Sequence, residues 1–478
     1  MSHKTVRVRF APSPSGFMHL GNVRSALINF LFARQKEGTF VIRIEDTDQE
    51  RNIDPDAGFI LKDLAWLGLD YDEGPLKSGP HEPYYQSRRT ALYEKYRAEC
   101  QERNLIYRCF CTSEELENRR QRQLALHQPP RYDRTCLALT EDACAARVAA
   151  GSPFIWRFKL DYEKTVSFYD LGHKTMQFDL KHFSDVPITR QDGSFTFLFA
   201  NFVDDKEMEI THVFRGEDHL SNTAPQVALY EAFATEAPVF WHLPILGNAQ
   251  GKKLSKRDFG FSLTDLRANG YLPEAILNYL GIIGHSVEEE IMDKEKLIET
   301  FNFEHISTTG QIRYDLEKLR WMNHQWIRRS NTLELTLLCQ PYLKAAHVFY
   351  ETLNSEELEK LVAYIQPELI TLEESPQALD FLVNRPAPSK ELLESHHLSE
   401  YKPFLKNLYS HLEQLLETKT DILPVIQKMC KEESLPSKNI FVLIRIALTG
   451  KTQGLSIKDM QRILDASEIK ERLTVLFS

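Results

Sequence analysis

VRVRFAPSPSGFMHLGNVR, from Val6 to Arg24, decides how the rest of the chain is read. Val6, Val8 and Phe10 alternate with Arg7 and Arg9, the period of a strand. Pro12 and Pro14 then hold the backbone extended. Gly16 follows, then His19-Leu20-Gly21-Asn22, and a helical pattern begins at Val23. The first strand of an α/β sheet therefore runs through a rigid loop into a helix start. Such a junction brings backbone N–H groups and an imidazole to a phosphate at the carboxyl end of the strand.

On either side of this stretch, residues 1–108 alternate strand and helix patterns. Thr39 to Ile44 is a short apolar strand that runs into Glu45-Asp46-Thr47-Asp48, and Ala57 to Leu67 and Thr90 to Asn104 carry helical spacing. This order favours a parallel sheet. From Cys109 to about Ile188 the character changes. An Arg-rich polar helix, Ser113 to His127, precedes Pro129-Pro130 and strand-like runs at Phe154 to Leu160 and Val166 to Leu171. The segment reads as an insertion. The sheet pattern resumes at Asp192-Gly193, a hairpin signal. Strands are expected over Ser194 to Val203, Ile210 to Phe214 and Phe240 to Leu246, with a helix over Thr223 to Thr235. Beyond Thr309 glycine is confined to Gly310, Gly450 and Gly454, and Glu356 to Glu368, Tyr401 to Glu417 and Lys438 to Leu448 have helical periodicity. An all-α C-terminal region is expected.

At 478 residues the chain has room for two to four domains. No apolar run reaches the ~20 residues that span a bilayer, and MSHKTVRVRF lacks the apolar stretch of a secretory signal. Seven cysteines, an odd number in a long chain, argue against a disulfide framework. The expectation is a cytoplasmic protein with no membrane partner. A net charge of −10 argues against indiscriminate nucleic-acid binding, while leaving room for a local basic face.

On its own, His19 reads as a capping or packing residue. Two prolines, a glycine and a helix start make a shaped phosphate site around it, where an imidazole donates to phosphate oxygens. Lys252-Lys253-Leu254-Ser255-Lys256-Arg257 reads on its own as a solvated basic loop. It follows a strand of the resumed sheet, however, so a lysine there can reach a triphosphate and neutralise charge developing at phosphorus.

HLGN after the first strand and KLSKR after the last resemble the two halves of a class I aminoacyl-tRNA synthetase active site. The match extends through RFAPSPSG (Arg9 to Gly16), RIEDTD (Arg43 to Asp48), WLGLDYDEGP (Trp66 to Pro75) and YQSRR (Tyr85 to Arg89). It continues through THVFRGEDHLSNT (Thr211 to Thr223), GKKLSKR (Gly251 to Arg257), GYLPEAILNYL (Gly270 to Leu280) and DLEKLRWMN (Asp315 to Asn323). Over essentially its whole length the chain resembles the bacterial-type glutamyl-tRNA synthetases. The resemblance implies an α/β fold: a class I Rossmann-type parallel sheet with an α+β insertion, then an all-α anticodon-binding region. It divides the chain at 1–108 (first half of the catalytic domain), 109–190 (acceptor-stem-binding insertion), 191–257 (second half, with the KLSKR loop), 258–330 (stem-contact helices) and 331–478 (anticodon-binding region).

The resemblance also implies an activity. L-Glutamate would be activated with ATP and Mg²⁺ to the adenylate and passed to the 3′ end of tRNA(Glu), by a monomer that requires tRNA for the first step. On the family's pattern Arg9 takes the side-chain carboxylate, a task that suits a planar guanidinium fork. Ala11 and Ser13 lie beside it, Glu45 holds the ammonium, Phe197 borders the pocket, and Asn201 and Arg215 hold the α-carboxylate. ATP falls to His19, Gly21, Asn22, Glu217, Asp218, Lys253, Ser255 and Lys256, of which His19, Lys253 and Lys256 face the phosphates and act in catalysis.

Three positions depart from that pattern. Phe197 stands where the family usually has a tyrosine. Cys109, Cys111 and Cys136 follow a zinc pattern, C-x-C-x24-C-x-H, whose last position here is Ala138. His127, Tyr132 or Cys144 could supply a fourth ligand, and the alternative is buried free thiols. Glu368 aligns where some members carry an anticodon-reading arginine, which leaves tRNA(Gln) open as a second substrate. Arg119, Arg120, Arg122, Arg131 and Arg134 of the insertion could contact phosphates or simply face solvent. The ~150 helical residues at the C-terminus disfavour both the short paralogue that modifies tRNA(Asp) and the glutaminyl enzymes, which end in β-barrels. Intact HLGN and KLSKR disfavour a non-catalytic tRNA-binding paralogue. A small-molecule nucleotidyltransferase would need neither insertion nor helical region.

Overall fold

The computed structural model describes residues 5–48, 52–54, 56–248, 250–254, 260–284, 287–303, 311–346, 355–382, 384–386, 390–395, 398–417, 421–454, 456–464 and 466–475. The chain divides into two units, Met1–Leu266 with Ile276–Leu316, and Arg267–Ala275 with Glu317–Ser478.

Among its described residues the first unit has eleven strands: β1 (Arg7–Phe10), β2 (Thr39–Ile42), β3 (Ile106–Cys109), β4 (Ile155–Phe158), β5 (Thr165–Asp170), β6 (Lys174–Asp179), β7 (Val186–Pro187), β8 (His212–Gly216), β9 (Val239–Leu243), β10 (Leu246–Gly247) and β11 (Ile312–Arg313). Six form the main sheet in the order β2-β1-β8-β9-β5-β6. All its pairings are parallel except the β5–β6 hairpin. Val8, Phe40, Val41, Ile42, Val213, Phe240 and Trp241 are buried, as expected of parallel strands covered on both faces. β3, β4 and β7 make a separate antiparallel sheet. The segment between Cys109 and Ile188 therefore contributes two strands to the main sheet, as well as β4 and β7, which complete a small sheet with β3 just before it.

Leaving β1, the chain runs through the proline loop into a helix at Leu20–Gln35, with His19 at its N-cap. β2 lies on one side of β1 and β8 on the other. The strand order reverses there, and a crevice opens beyond the carboxyl ends of β1 and β8. The strand expected over Ser194 to Val203 is instead a helix, Phe197–Glu207. The short apolar run within it, Phe197 to Ala200, fits a buried helix as well as a buried strand. What decides is the polar set that follows one turn on: Asn201, Asp204 and Asp205 share a helical face, and all three are buried. The strand expected to reach Leu246 stops at Leu243, before Pro244.

Among its described residues the second unit is helical, including Leu316–Arg329, Thr332–Ala345, Ser355–Ile365, Lys402–Glu417, Leu423–Glu432 and Ser437–Thr449. One apolar core runs through it, with Leu335, Leu361, Leu408, Ile426, Leu443 and Met460 fully buried. Gly450, at φ 74°, ends the Ser437–Thr449 helix in the left-handed conformation that glycine adopts without steric cost. No helix among the described residues is long and apolar enough to cross a membrane.

Candidate active site

The crevice beyond β1 and β8 is a cavity of about 950 Å³. Arg9, Ala11, Ser13, His19, Gly21, Asn22, Glu45, Phe197, Asn201, Arg215, Asp218 and Lys253 all line it. Glu217 does not; it belongs to the short turn Glu217–His219. Ser255 and Lys256 lie outside the described residues.

Its deep end is a buried charge network. Arg9 donates from Nε to Asp205 Oδ1 (3.0 Å) and from Nη2 to Asp205 Oδ2 (3.3 Å) and Asn201 Oδ1 (3.4 Å). Arg43, fully buried behind it, donates to Asp205 Oδ1 (2.6 Å), Asn201 Oδ1 (2.8 Å) and Glu45 Oε1 (3.1 Å). Asn201 Nδ2 completes the ring to Glu45 Oε1 (2.6 Å). Burial raises the pKa of Glu45, and Arg43 and Arg9 oppose that rise. Asp205 moves the other way: burial is outweighed by Arg43 and Arg9, and its carboxyl is held below the usual range. The sequence contains no local sign that Asp205 holds both arginines.

Arg215, on β8, is different. Its Nη2 donates to Thr223 Oγ1 (2.7 Å) and its Nε to His242 Nε2 (3.4 Å), while Nη1 is buried without a partner. Burial lowers its pKa to about 10, and the nearby Arg9 charge adds to that. A second buried arginine on the cavity wall, Arg24, gives one hydrogen bond to the Pro244 carbonyl (3.2 Å) and leaves Nε and Nη2 unpaired. Burial brings it to about 10 as well. An unpaired buried guanidinium is costly, and an anion removes that cost. Arg24 lies within the opening stretch but was not expected at the site; at a helical position an arginine reads as solvated.

At the other end, His19 caps its helix by accepting from Asn22 N–H at Nδ1 (3.3 Å), and its own N–H donates to Asn22 Oδ1 (3.3 Å). Its proton is therefore on Nε2. A Cβ at Gly21 would stand 3.0 Å from the imidazole, so glycine lets the ring fold over the helix start. Burial, then Lys253, lowers His19 to about 4, against a smaller opposing pull from Asp218. The ring is neutral at physiological pH. Lys253 Nζ lies 2.9 Å from Asp218 Oδ2, and both are well exposed. Phe197 packs its ring against His219, centroids 5.5 Å apart.

Cys109, Cys111 and Cys136 are buried with their sulfurs within 4.8 Å of one another. Cys111 and Cys136 sulfurs are 3.5 Å apart, near the roughly 3.8 Å edge of a tetrahedron with 2.3 Å zinc–sulfur bonds. Of the three further ligands considered, the structure brings in Tyr132, whose hydroxyl lies 3.3 Å from Cys109 Sγ and 3.8 Å from Cys111 Sγ. His127 is exposed, and Cys144 sits on the Glu141–Ala149 helix. Burial opposes ionisation of Cys109, but Tyr132 and Arg157 outweigh it and lower the thiol pKa. Of the insertion arginines, Arg119 pairs with Asp133, Arg120 with Glu117 and Arg134 with Asp185. Glu368 is exposed.

Residues 5–321 match the family described as tRNA synthetases class I (E and Q), catalytic domain, and residues 334–476 match an anticodon binding domain. The chain is 37% identical over 480 residues to the glutamate–tRNA ligase of Carboxydothermus hydrogenoformans, covering 99% of this chain and 100% of that protein. It is 36% identical over 480 residues to that of Bacillus subtilis, covering 98% and 99%. A crystal structure of a glutamate tRNA ligase from Elizabethkingia meningosepticum in complex with its amino acid superposes with a TM-score of 0.89 at 28% identity, over 99% of this chain and 100% of that one.

Proposed function

The chain belongs to the class I tRNA synthetases of the E and Q type, and we propose that it is a glutamate–tRNA ligase acting on tRNA(Glu). The observation that carries the choice of amino acid is the deep end of the cavity. The guanidinium groups of Arg9 and Arg215 and the carboxylate of Glu45, which line it in front of Arg43 and Asp205, suit a ligand with two carboxylates and one ammonium. In this reading Arg9, held side-on by Asp205, offers Nη1 to the glutamate side chain beside Ala11, Ser13 and Phe197. Glu45 receives the ammonium. Arg215 and Asn201 receive the α-carboxylate, which the unpaired Nη1 of Arg215 supports.

ATP lies along the start of the Leu20–Gln35 helix. His19 donates from Nε2 to a phosphate oxygen, the backbone at Gly21 adds the helix N-terminus, and Asn22, whose N–H holds His19 Nδ1, fixes the ring beside the nucleotide. Asp218 and Glu217 belong to the nucleotide side, and Lys253, Ser255 and Lys256 to the phosphates. Mg²⁺ would supply neutralisation of phosphate charge there and would need few dedicated protein ligands. The glutamate α-carboxylate oxygen attacks the α-phosphorus, the bond from that phosphorus to the α,β-bridging oxygen breaks, and the β- and γ-phosphates leave as pyrophosphate. A terminal ribose hydroxyl of the tRNA then attacks the acyl carbon, and AMP leaves. The protein contributes alignment and charge stabilisation.

Residues 109–190 would meet the acceptor stem, 258–330 the stem beyond it, and 331–478 the anticodon; the anticodon-binding match over 334–476 supports the last. Cys109, Cys111, Cys136 and Tyr132 would hold zinc in this reading, where it would serve the fold of the insertion rather than the chemistry. The enzyme works as a cytoplasmic monomer, with tRNA(Gln) as a second acceptor if Glu368 relaxes anticodon reading.

ATP–pyrophosphate exchange tests the proposal, with glutamate or glutamine and with no tRNA, tRNA(Glu) or tRNA(Gln). Exchange with glutamate, supported by tRNA(Glu), is the expected result. Exchange with glutamine alone, or none at all, would overturn it. Charging of tRNA(Gln) decides its second-acceptor role.

A further inference from the structure

Three buried residues that do not line the cavity form a chain of hydrogen bonds ending on Arg215. Asp170 closes β5 and is fully buried. Its Oδ1 accepts from the backbone N–H of Gly172 and of His173 (2.8 Å each) and lies 3.0 Å from His173 Nδ1. Its Oδ2 accepts from the backbone N–H of His242 (3.0 Å) and lies 2.7 Å from His242 Nδ1. A carboxylate only accepts, so His242 carries its proton on Nδ1. Nε2 is then a lone pair. It lies 2.8 Å from Thr223 Oγ1 and 3.4 Å from Arg215 Nε. Burial keeps His242 below its ordinary pKa against the pull of Asp170, so the ring is neutral.

The arrangement differs from that around Arg9 in one respect. Arg9 and Arg43 share a carboxylate directly. Arg215 is oriented by a neutral imidazole and a hydroxyl, with the carboxylate one ring further away. Its charge is thereby left for a ligand. We infer that Asp170, His242 and Thr223 are positioning residues for glutamate: they fix the histidine tautomer that accepts from Arg215, and so hold Arg215 Nη1 open to the α-carboxylate. The opposite tautomer would point an N–H at the guanidinium and push it aside. This inference rests on the reading of Arg215 as the α-carboxylate's partner.

Asp170→Asn disturbs the chain at its far end. Whichever way the amide turns, its NH₂ faces backbone N–H donors, and with NH₂ toward His242 it favours the wrong tautomer. Thr223→Val removes the hydroxyl that bridges Arg215 and His242, and Thr223→Ser restores it. Aminoacylation with saturating tRNA(Glu) should show KM for glutamate raised roughly tenfold in Asp170→Asn and Thr223→Val, the scale on which removing an outer hydrogen-bond partner acts. KM for ATP should stay unchanged and Thr223→Ser should recover the wild-type value. If Asp170→Asn does not fold, Thr223→Val decides alone. An unchanged glutamate KM overturns the inference. So does a fall in kcat without a change in KM, or a parallel rise in KM for ATP, which a merely structural role would give. Arg215→Gln separates the two levels. If it leaves the glutamate KM unchanged, the reading of Arg215 fails; if it raises KM while Thr223→Val does not, only the positioning role fails.

Discussion

Phe197 presents a hydrocarbon ring to the cavity and packs at a tilt against His219. In the proposed site a hydroxyl there would add one hydrogen bond near Arg9, with a net value of about 1 kcal/mol. Phe197→Tyr is therefore expected to lower the glutamate KM about fivefold; a rise would show that the ring is needed against His219. His19→Ala should slow glutamate-dependent exchange about a hundredfold, the scale of losing one donor to developing charge. Filter binding should find tRNA affinity unchanged. Arg9, Glu45, Asn201 and Arg215 were legible because they sit in, or beside, short motifs. Asp205 was not, since it meets Arg9 across 196 residues of chain. Thr223, His242 and Asp170 were hidden for the same reason: an acid, a histidine and a threonine far apart in sequence show no pattern until the sheet aligns them.

The Phe197–Glu207 helix shows how an element can be misread while the residues expected at the site, Phe197 and Asn201, still come to line the cavity. Its first turn, Phe197 to Ala200, is apolar on every side, so periodicity gave no direction. Burial sets what its acids do. Asp205→Asn leaves Arg9 and Arg43 short of a partner in the core and should destabilise the fold by about 3 kcal/mol, the usual result of breaking a buried pair; urea unfolding measures it. A reversal of that sign would mean the two arginines find another acceptor. The cysteine cluster makes a further test at this scale. Purified protein should carry about one zinc per chain by elemental analysis, and Tyr132→Phe should lose it more readily to a chelator. The sequence could narrow the fourth ligand to three candidates, because Tyr132, His127 and Cys144 are all near in chain; only folding brings the tyrosine alone to the sulfurs.

Across the whole molecule, burial leaves a titration signature. His19, His212 and His219 each fall from the ordinary 6.5 to about 4, in every case chiefly through burial. Between pH 4 and 6.5 the unfolded chain therefore binds more protons at these rings than the folded one, and stability rises with pH across that window. The urea midpoint should climb from pH 5 to 6.5 and flatten above; a falling midpoint would mean the rings are charged in the folded state. The order of sheet, insertion and helical region was legible because each has its own periodicity. The path of the insertion was not: β5 and β6 carry the alternation of any exposed hairpin, with nothing to say which sheet they join. That path bears on how such a chain can be recombined. A chimera that takes residues 109–190 from a relative also takes one edge of the main sheet and Asp170, whereas one that takes 109–164 leaves both in place. Neither cut yields a self-contained cassette: β4 pairs with β3 (Ile106–Cys109) before the near seam and with β7 (Val186–Pro187) beyond Thr165, so the part free of the main sheet is two separate pieces of chain that must be traded together.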